Sequence, residues 1–192
     1  MSAVVLVARI GAAHGARAAA AAVACAGSEV DRAGLLIDLG AHRAPRPALI
    51  ATAAARELEE RLAAHLPGVG VAARGRICHL ALDGGEDALE GVGAALAIGR
   101  GTPAAVHLPP GRVQAALDGP IAASGALLRA DLYEDRPLAA LAVGHLVERG
   151  LRPAVMKRPL GWLAARRALA GALGPGLGEA LPQPACRRLL AG

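Results

Sequence analysis

Short apolar runs alternate along the chain with longer stretches of helical character. Residues 3–8 (AVVLVA) form a continuous β-branched run of strand length, the pattern of a strand buried on both faces. Gly11–Gly15 reads as a loop and Ala16–Ala26 as a strongly helix-favouring stretch. Gly34–Leu39 (GLLIDL) is a second buried strand. Pro47–His65 reads as a helix with Glu57, Glu59 and Glu60 on its solvent side, stopped by Pro67–Gly68. Arg76–Leu82 (RICHLAL) alternates and reads as a strand. Glu86–Ile98 reads as a helix interrupted by Gly91 and Gly93, with Asp83, Glu86 and Asp87 available for N-capping. Ala104–Leu108 is a short strand ending at Pro109–Pro110, and Gly125–Ala130 is another. Pro137–Arg149 carries Pro in its first turn and Gly150 as C-cap, so it reads as a helix. Pro153–Met156 is the last strand and Gly161–Leu173 the last amphipathic helix.

Strands alternating with helices predict an α/β fold: a doubly wound, mostly parallel sheet with helices on both faces. Residues 1–173 read as one domain and 174–192 as a Gly/Pro-rich C-terminal tail. No internal repeat interrupts this order. Ligands of such folds bind beyond the C-terminal strand ends. The loops expected on that rim are Gly11–Arg17, Gly40–Arg46, Pro109–Arg112 and Lys157–Gly161.

Composition narrows the class. The 192 residues are 54% hydrophobic, which excludes a disordered chain, and they are enough for one buried core without metal or disulfide support. Phe is absent and Tyr133 and Trp162 are the only aromatics, so the core rests on Leu, Val, Ile and Ala, and modest stability is expected. The most apolar run, Ala18–Gly27, is far short of the ~20 residues a membrane span needs. No basic stretch precedes the first apolar run, so no signal peptide is expected. Cys25, Cys78 and Cys186 are widely spaced and odd in number, which indicates neither a disulfide framework nor a zinc site. A cytoplasmic setting follows, with peripheral association at an inner membrane left open. The net charge of +5 comes from scattered arginines. They read either as solvated faces or as an attraction to DNA or anionic lipid.

The first candidate for chemistry is the loop between the first strand and the Ala-rich helix, Gly11-Ala12-Ala13-His14-Gly15-Ala16-Arg17-Ala18. Glycines there let the backbone present N–H groups to an anion at a helix N-terminus. A working phosphate loop also needs a Lys for the phosphates and a Ser or Thr for Mg²⁺, and this loop has neither. The segment resembles the deviant phosphate loop of the MinD/ParA superfamily, which includes the CpaE/TadZ proteins. That family's K-G-G-x-G-K-T-T lies on Gly11–Ala18 without a gap: Gly15 keeps the last glycine, Ala16 replaces the phosphate-binding Lys, and Arg17 and Ala18 replace the hydroxyl residues. The family's V-L-L-I-D-x-D is similar to Gly34–Gly40, where Asp38 keeps the first carboxylate and Gly40 replaces the second. Its V-V-I-D-x-P-P-G resembles Ala104–Gly111, with His107 at the Walker B aspartate. Its V-x-N-R resembles Val155–Arg158, with Lys157 at the adenine-reading Asn.

The resemblance implies a trimmed P-loop NTPase-like domain whose nucleotide-site positions are Gly11 to Ala18, Asp38, His107 and Lys157, with no catalytic residue and no metal ligand. It implies a pseudo-ATPase without ATP or Mg²⁺ as cofactor, acting with a protein partner or as a homodimer in localising or scaffolding a pilus, secretion, septum or partition apparatus. Two alternatives stay open: residual ATP or dinucleotide binding at Gly11–Arg17, and nonspecific nucleic-acid binding through the arginines. The dinucleotide alternative rests on Gly11-x-x-x-Gly15 with Asp38 ending the next strand, but lacks the full G-x-G-x-x-G. Arg17 is expected to point into water or to meet a phosphate. Asp38 is expected to cap a helix or bond the loop. His14, His42 and His107 are weighed as a metal site and set aside for want of ligand spacing. The helix Gly161–Leu169, with Trp162 beside Arg166 and Arg167, reads as packed on its own sheet or lying on an anionic membrane.

Overall fold

The computed structural model describes residues 4–10, 16–29, 31–40, 50–85, 87–109, 111–119, 121–123, 125–130 and 136–157; for Ala18, residues 125–130, Arg136, Ala139, Arg152 and residues 154–157 it describes the backbone. Strands β1 (Val4–Ile10), β2 (Gly34–Leu39), β4 (Ile77–Leu82), β5 (Ala104–Leu108), β6 (Gly125–Ala130) and β7 (Arg152–Lys157) run parallel. β3 (Gly70–Arg74) pairs antiparallel with β4. The sheet order is β3-β4-β2-β5-β1-β6-β7. The helices are α1 (Ala16–Gly27), α2 (Ala53–His65), α3 (Ala88–Ile98), α4 (Val113–Asp118) and α5 (Arg136–Glu148). This is the expected α/β class with a mostly parallel sheet.

Two cores lie on opposite faces because side chains alternate along each strand. Val5 and Val7 of β1, Leu36 of β2 and Ala105 of β5 pack under the alanines of α1. Leu6, Ile37, Val106 and Leu80 pack on the other face with Leu58 and Leu62 of α2, Val92 and Ala95 of α3, Ala116 of α4 and Leu146 of α5. Leu138, Leu141 and Val147 of α5 are exposed. None of the helices among the described residues is long and apolar enough to cross a membrane.

Several elements differ from expectation. α2 begins at Ala53, not Pro47: Thr52 is extended and its Oγ1 accepts from the Ala55 amide at 3.3 Å, an N-cap that outcompetes an earlier start. Ala51 is instead held beside Gly75 in a β-bridge. β3 and α4 were not expected. β3 reads GVAAR, too small and mixed for a strand signal, and forms because the turn at Gly75 (φ +56°) folds it back on β4. β4 is buried throughout, so its alternation reflects two different packing partners and not a wet face. Asp87 sits at the N-cap of α3 without a side-chain bond; Asp83 instead accepts from the Gly85 amide, forming an Asx-type turn. The expected helix Gly161–Leu173 and the tail lie outside the described residues.

Candidate functional site

β2 and β5 are neighbours, and their register sets Asp38 opposite His107. In β4, His79 stands opposite Leu36, one alternation below Asp38. Leu36 and Ala105 belong to the α1-side core, so Asp38 and His107, two positions further along, face α1 as well. α1 lies close to the sheet at Gly34. A β carbon at Gly34 would fall 2.1 Å from the Ala24 carbonyl oxygen, so helix and strand backbones touch where glycine leaves space. Ala19, Ala20, Ala21 and Ala24, all buried, allow the same closeness. The closely seated helix carries Arg17, in its first turn, onto the end of β2.

The result is a cluster centred on Asp38, which is 2% exposed. The His107 Nδ1–H donates to Asp38 Oδ1 at 2.8 Å, since an ionised carboxylate only accepts. Arg17 Nε forms an ion pair with Asp38 Oδ2. His79 Nε2, buried and without a hydrogen-bond partner among the described residues, lies 3.6 Å from that oxygen, beyond hydrogen-bond reach. Burial pushes the Asp38 carboxyl up, but the bond from His107, the nearby His79 imidazole and the charge of Arg17 outweigh it. The group is held well below the usual carboxylate range. Asp38 is therefore an anion held by the chain's own cation and an imidazole, and Arg17, the last residue of the expected Gly11–Arg17 loop, is one of its partners. Arg17 does not point freely into water: its side chain is 45% exposed, yet its Nε is committed to Asp38.

The chain reverses at Gly40, whose φ of +81° lies in the left-handed region. Pro109, which follows β5, packs 3.5 Å from where a β carbon at Gly40 would be. Arg112 then donates to the Gly84 carbonyl at 2.6 Å, tying the turn after β5 to the turn after β4. At the α4–α5 contact, Asp118 pairs with Arg149 and accepts from Gln114 at 2.7 Å, while His145 bonds Gln114 at 2.5 Å. These exposed groups hold the two helices in register and reach no part of the Asp38 cluster.

Of the sequence-derived site positions, the structure gathers Arg17, Asp38 and His107. Ala16 is buried at the start of α1, and Ala18 follows in the same turn. Gly11, Ala12, Ala13, His14 and Gly15 lie outside the described residues, as does His42. Lys157 ends β7 and pairs in register with Ala130. Four strand spacings separate β7 from β2, about 19 Å, so Lys157 shares the rim with Asp38 but not its cluster. His79 is the member that sequence reasoning missed. A histidine in a strand buried on both faces needs a polar partner, and Asp38 in an equally buried strand was the available one.

Mg²⁺ asks for near-octahedral oxygen ligands. Here one carboxylate is present, both its oxygens face nitrogen groups, and a guanidinium stands against it; these residues do not fit the ion. Among the described residues no group of three His, Cys, Asp or Glu is arranged to hold a metal. Cys78 is equally unsuited to chemistry: burial, and secondarily the charge of Glu59, push its thiol up to about 12. No known protein family, curated protein or solved structure matches the chain.

Proposed function

We propose that the chain is a non-catalytic MinD/ParA-like protein that acts by interaction, in localising or scaffolding a larger bacterial-type apparatus. The observation that carries this reading is the state of Asp38, the retained family carboxylate, which is bound by Arg17 and His107 where an ATPase would leave it for a metal. Phosphoryl transfer depends on positioning and charge stabilisation, and the replaced groups are those that supply them.

Strand order supports the reading. Counting the parallel strands alone, the order is 3-2-4-1-5-6, whereas the dinucleotide-binding fold is 3-2-1-4-5-6. β5 is inserted between β1 and β2. The position of a Walker B carboxylate, here His107, thereby stands beside the strand that feeds the Gly11–Arg17 loop. The same insertion separates the two strands that a dinucleotide site keeps adjacent, which weighs against the nicotinamide alternative.

The test is an ATPase assay on the purified protein with thermal melts in ATP, ATP with Mg²⁺, and NAD. A bound ligand raises the melting temperature as RT ln(1 + [L]/Kd). The expected outcome is no Mg²⁺-dependent hydrolysis and no Mg²⁺-dependent stabilisation. Hydrolysis that needs Mg²⁺ and is lost in Asp38→Asn would sink the proposal. If the protein self-associates, sedimentation should show the same assembly with and without ATP.

A further inference from the structure

Every oxygen of Asp38 faces a nitrogen of the chain: His107 Nδ1 at Oδ1, and Arg17 Nε with the more distant His79 Nε2 at Oδ2. We propose that Arg17 is a resident cation that takes the place of a divalent metal at Asp38 and excludes it, so that removing Arg17 and supplying a second carboxylate at position 107 opens the site to divalent ions. The inference rests on the reading above only for where a metal would lie.

Three features carry it. Arginine is a cation that forms close pairs with carboxylates, so a divalent ion approaching Asp38 meets a positive group already in place. Arg17 is pre-positioned, because α1 is seated on β2 through the backbone contact at Gly34 and the alanines. A tethered cation binds at high effective concentration, while a free ion must give up its hydration shell. Finally, the side chain of Arg17 is nearly half exposed whereas Asp38 is buried. Among the described residues, Arg17 is thus the cation on the solvent side of the carboxylate. The register pair Asp38 and His107 offers two facing positions on adjacent strands.

Mn²⁺ is the probe, followed by paramagnetic resonance of the free ion and by broadening of the His79 and His107 imidazole signals in the full chain. In the wild type, millimolar Mn²⁺ should leave both imidazoles sharp. In Arg17→Ala/His107→Asp, Mn²⁺ should bind at least tenfold more tightly than to the wild type and broaden His79, and adding Asp38→Asn should abolish that gain. Broadening of His79 and His107 in the wild type overturns the proposal, as does a folded double variant that binds no more tightly. Should the double variant fail to fold, Arg17→Ala alone decides, since Arg17 is the excluding cation: Mn²⁺ binding tighter than in the wild type, with some broadening of His79, supports the proposal, and a His79 as sharp as in the wild type overturns it. ATP hydrolysis by a wild type whose imidazoles stay sharp would refute the pseudo-ATPase reading while supporting this one.

Discussion

The two faces of the sheet are built on different principles. The face under α2 to α5 is filled by long aliphatic side chains, Leu35, Ile37, Leu39, Leu58, Leu62 and Leu80 among them. The face under α1 is filled mainly by alanine and valine, with Leu36 and Ile77, and has a glycine where the backbones meet. Each buried leucine removes far more apolar area from water than an alanine, so the first face supplies most of the hydrophobic stabilisation. The second supplies proximity. Asp38, His79 and His107 all lie on the α1 side, where short side chains bring a helical arginine within reach of a carboxylate. Closeness, and not bulk, makes room for polar chemistry in this molecule.

The largest effects should separate the faces. Leu62→Ala should cost about 4 kcal/mol in chemical denaturation, the usual loss for a leucine truncated in a packed core, and should leave the His79 and His107 NMR signals in place. Gly34→Ala should cost about 3 kcal/mol, because its β carbon meets backbone that cannot rotate away. Unlike Leu62→Ala, it should displace those signals by lifting α1. If both variants moved the imidazole signals alike, the division between faces would fail.

Asp38→Asn should cost about 2 kcal/mol at neutral pH, the scale of hydrogen bonds to a charged group. Its pH dependence is more telling. The native carboxyl titrates below its unfolded value, so at low pH the unfolded chain binds the extra proton. The contribution of Asp38 is then complete above the unfolded value, about 4, and is lost as the pH falls toward the native one. Acid titration of Asp38→Asn should lack that part of the loss. An unchanged acid limb would mean that Arg17 and His107 do not hold the carboxylate in solution. The smallest effect belongs to the leucine-rich face: Thr52→Ala should cost about 1 kcal/mol through the lost cap of α2 and leave the acid limb unaltered.

Strand and helix alternation was legible because buried strands such as GLLIDL and AAVHL are continuous apolar runs, and β2, β5 and β6 fall on the expected residues. β3 was not, since its pairing depends on a turn glycine and a neighbour and not on its own side chains. The site was half legible. Asp38 and His107 stand out at strand ends, but their contact follows from β5 entering between β1 and β2, which periodicity does not report. The engagement of Arg17 depends on the height of α1 above the sheet, a consequence of Gly34 that no local pattern contains. His79 does not stand out because its strand alternates in sequence, which does not reveal that both of its faces are covered.

The inserted strand also governs how the chain can be made. Val4 pairs with Ala104 and Leu35 with the same residue, so the centre of the sheet waits for a segment about a hundred residues downstream of β1. Closing so long a loop is entropically costly and slow compared with forming a hairpin such as β3–β4. On a ribosome, β1 emerges well before its eventual neighbours, β5 and β6. It is a valine-rich strand with both edges open for that interval, the species most prone to pair with another nascent copy. Truncation before β5 should therefore yield an aggregating fragment and not a smaller domain.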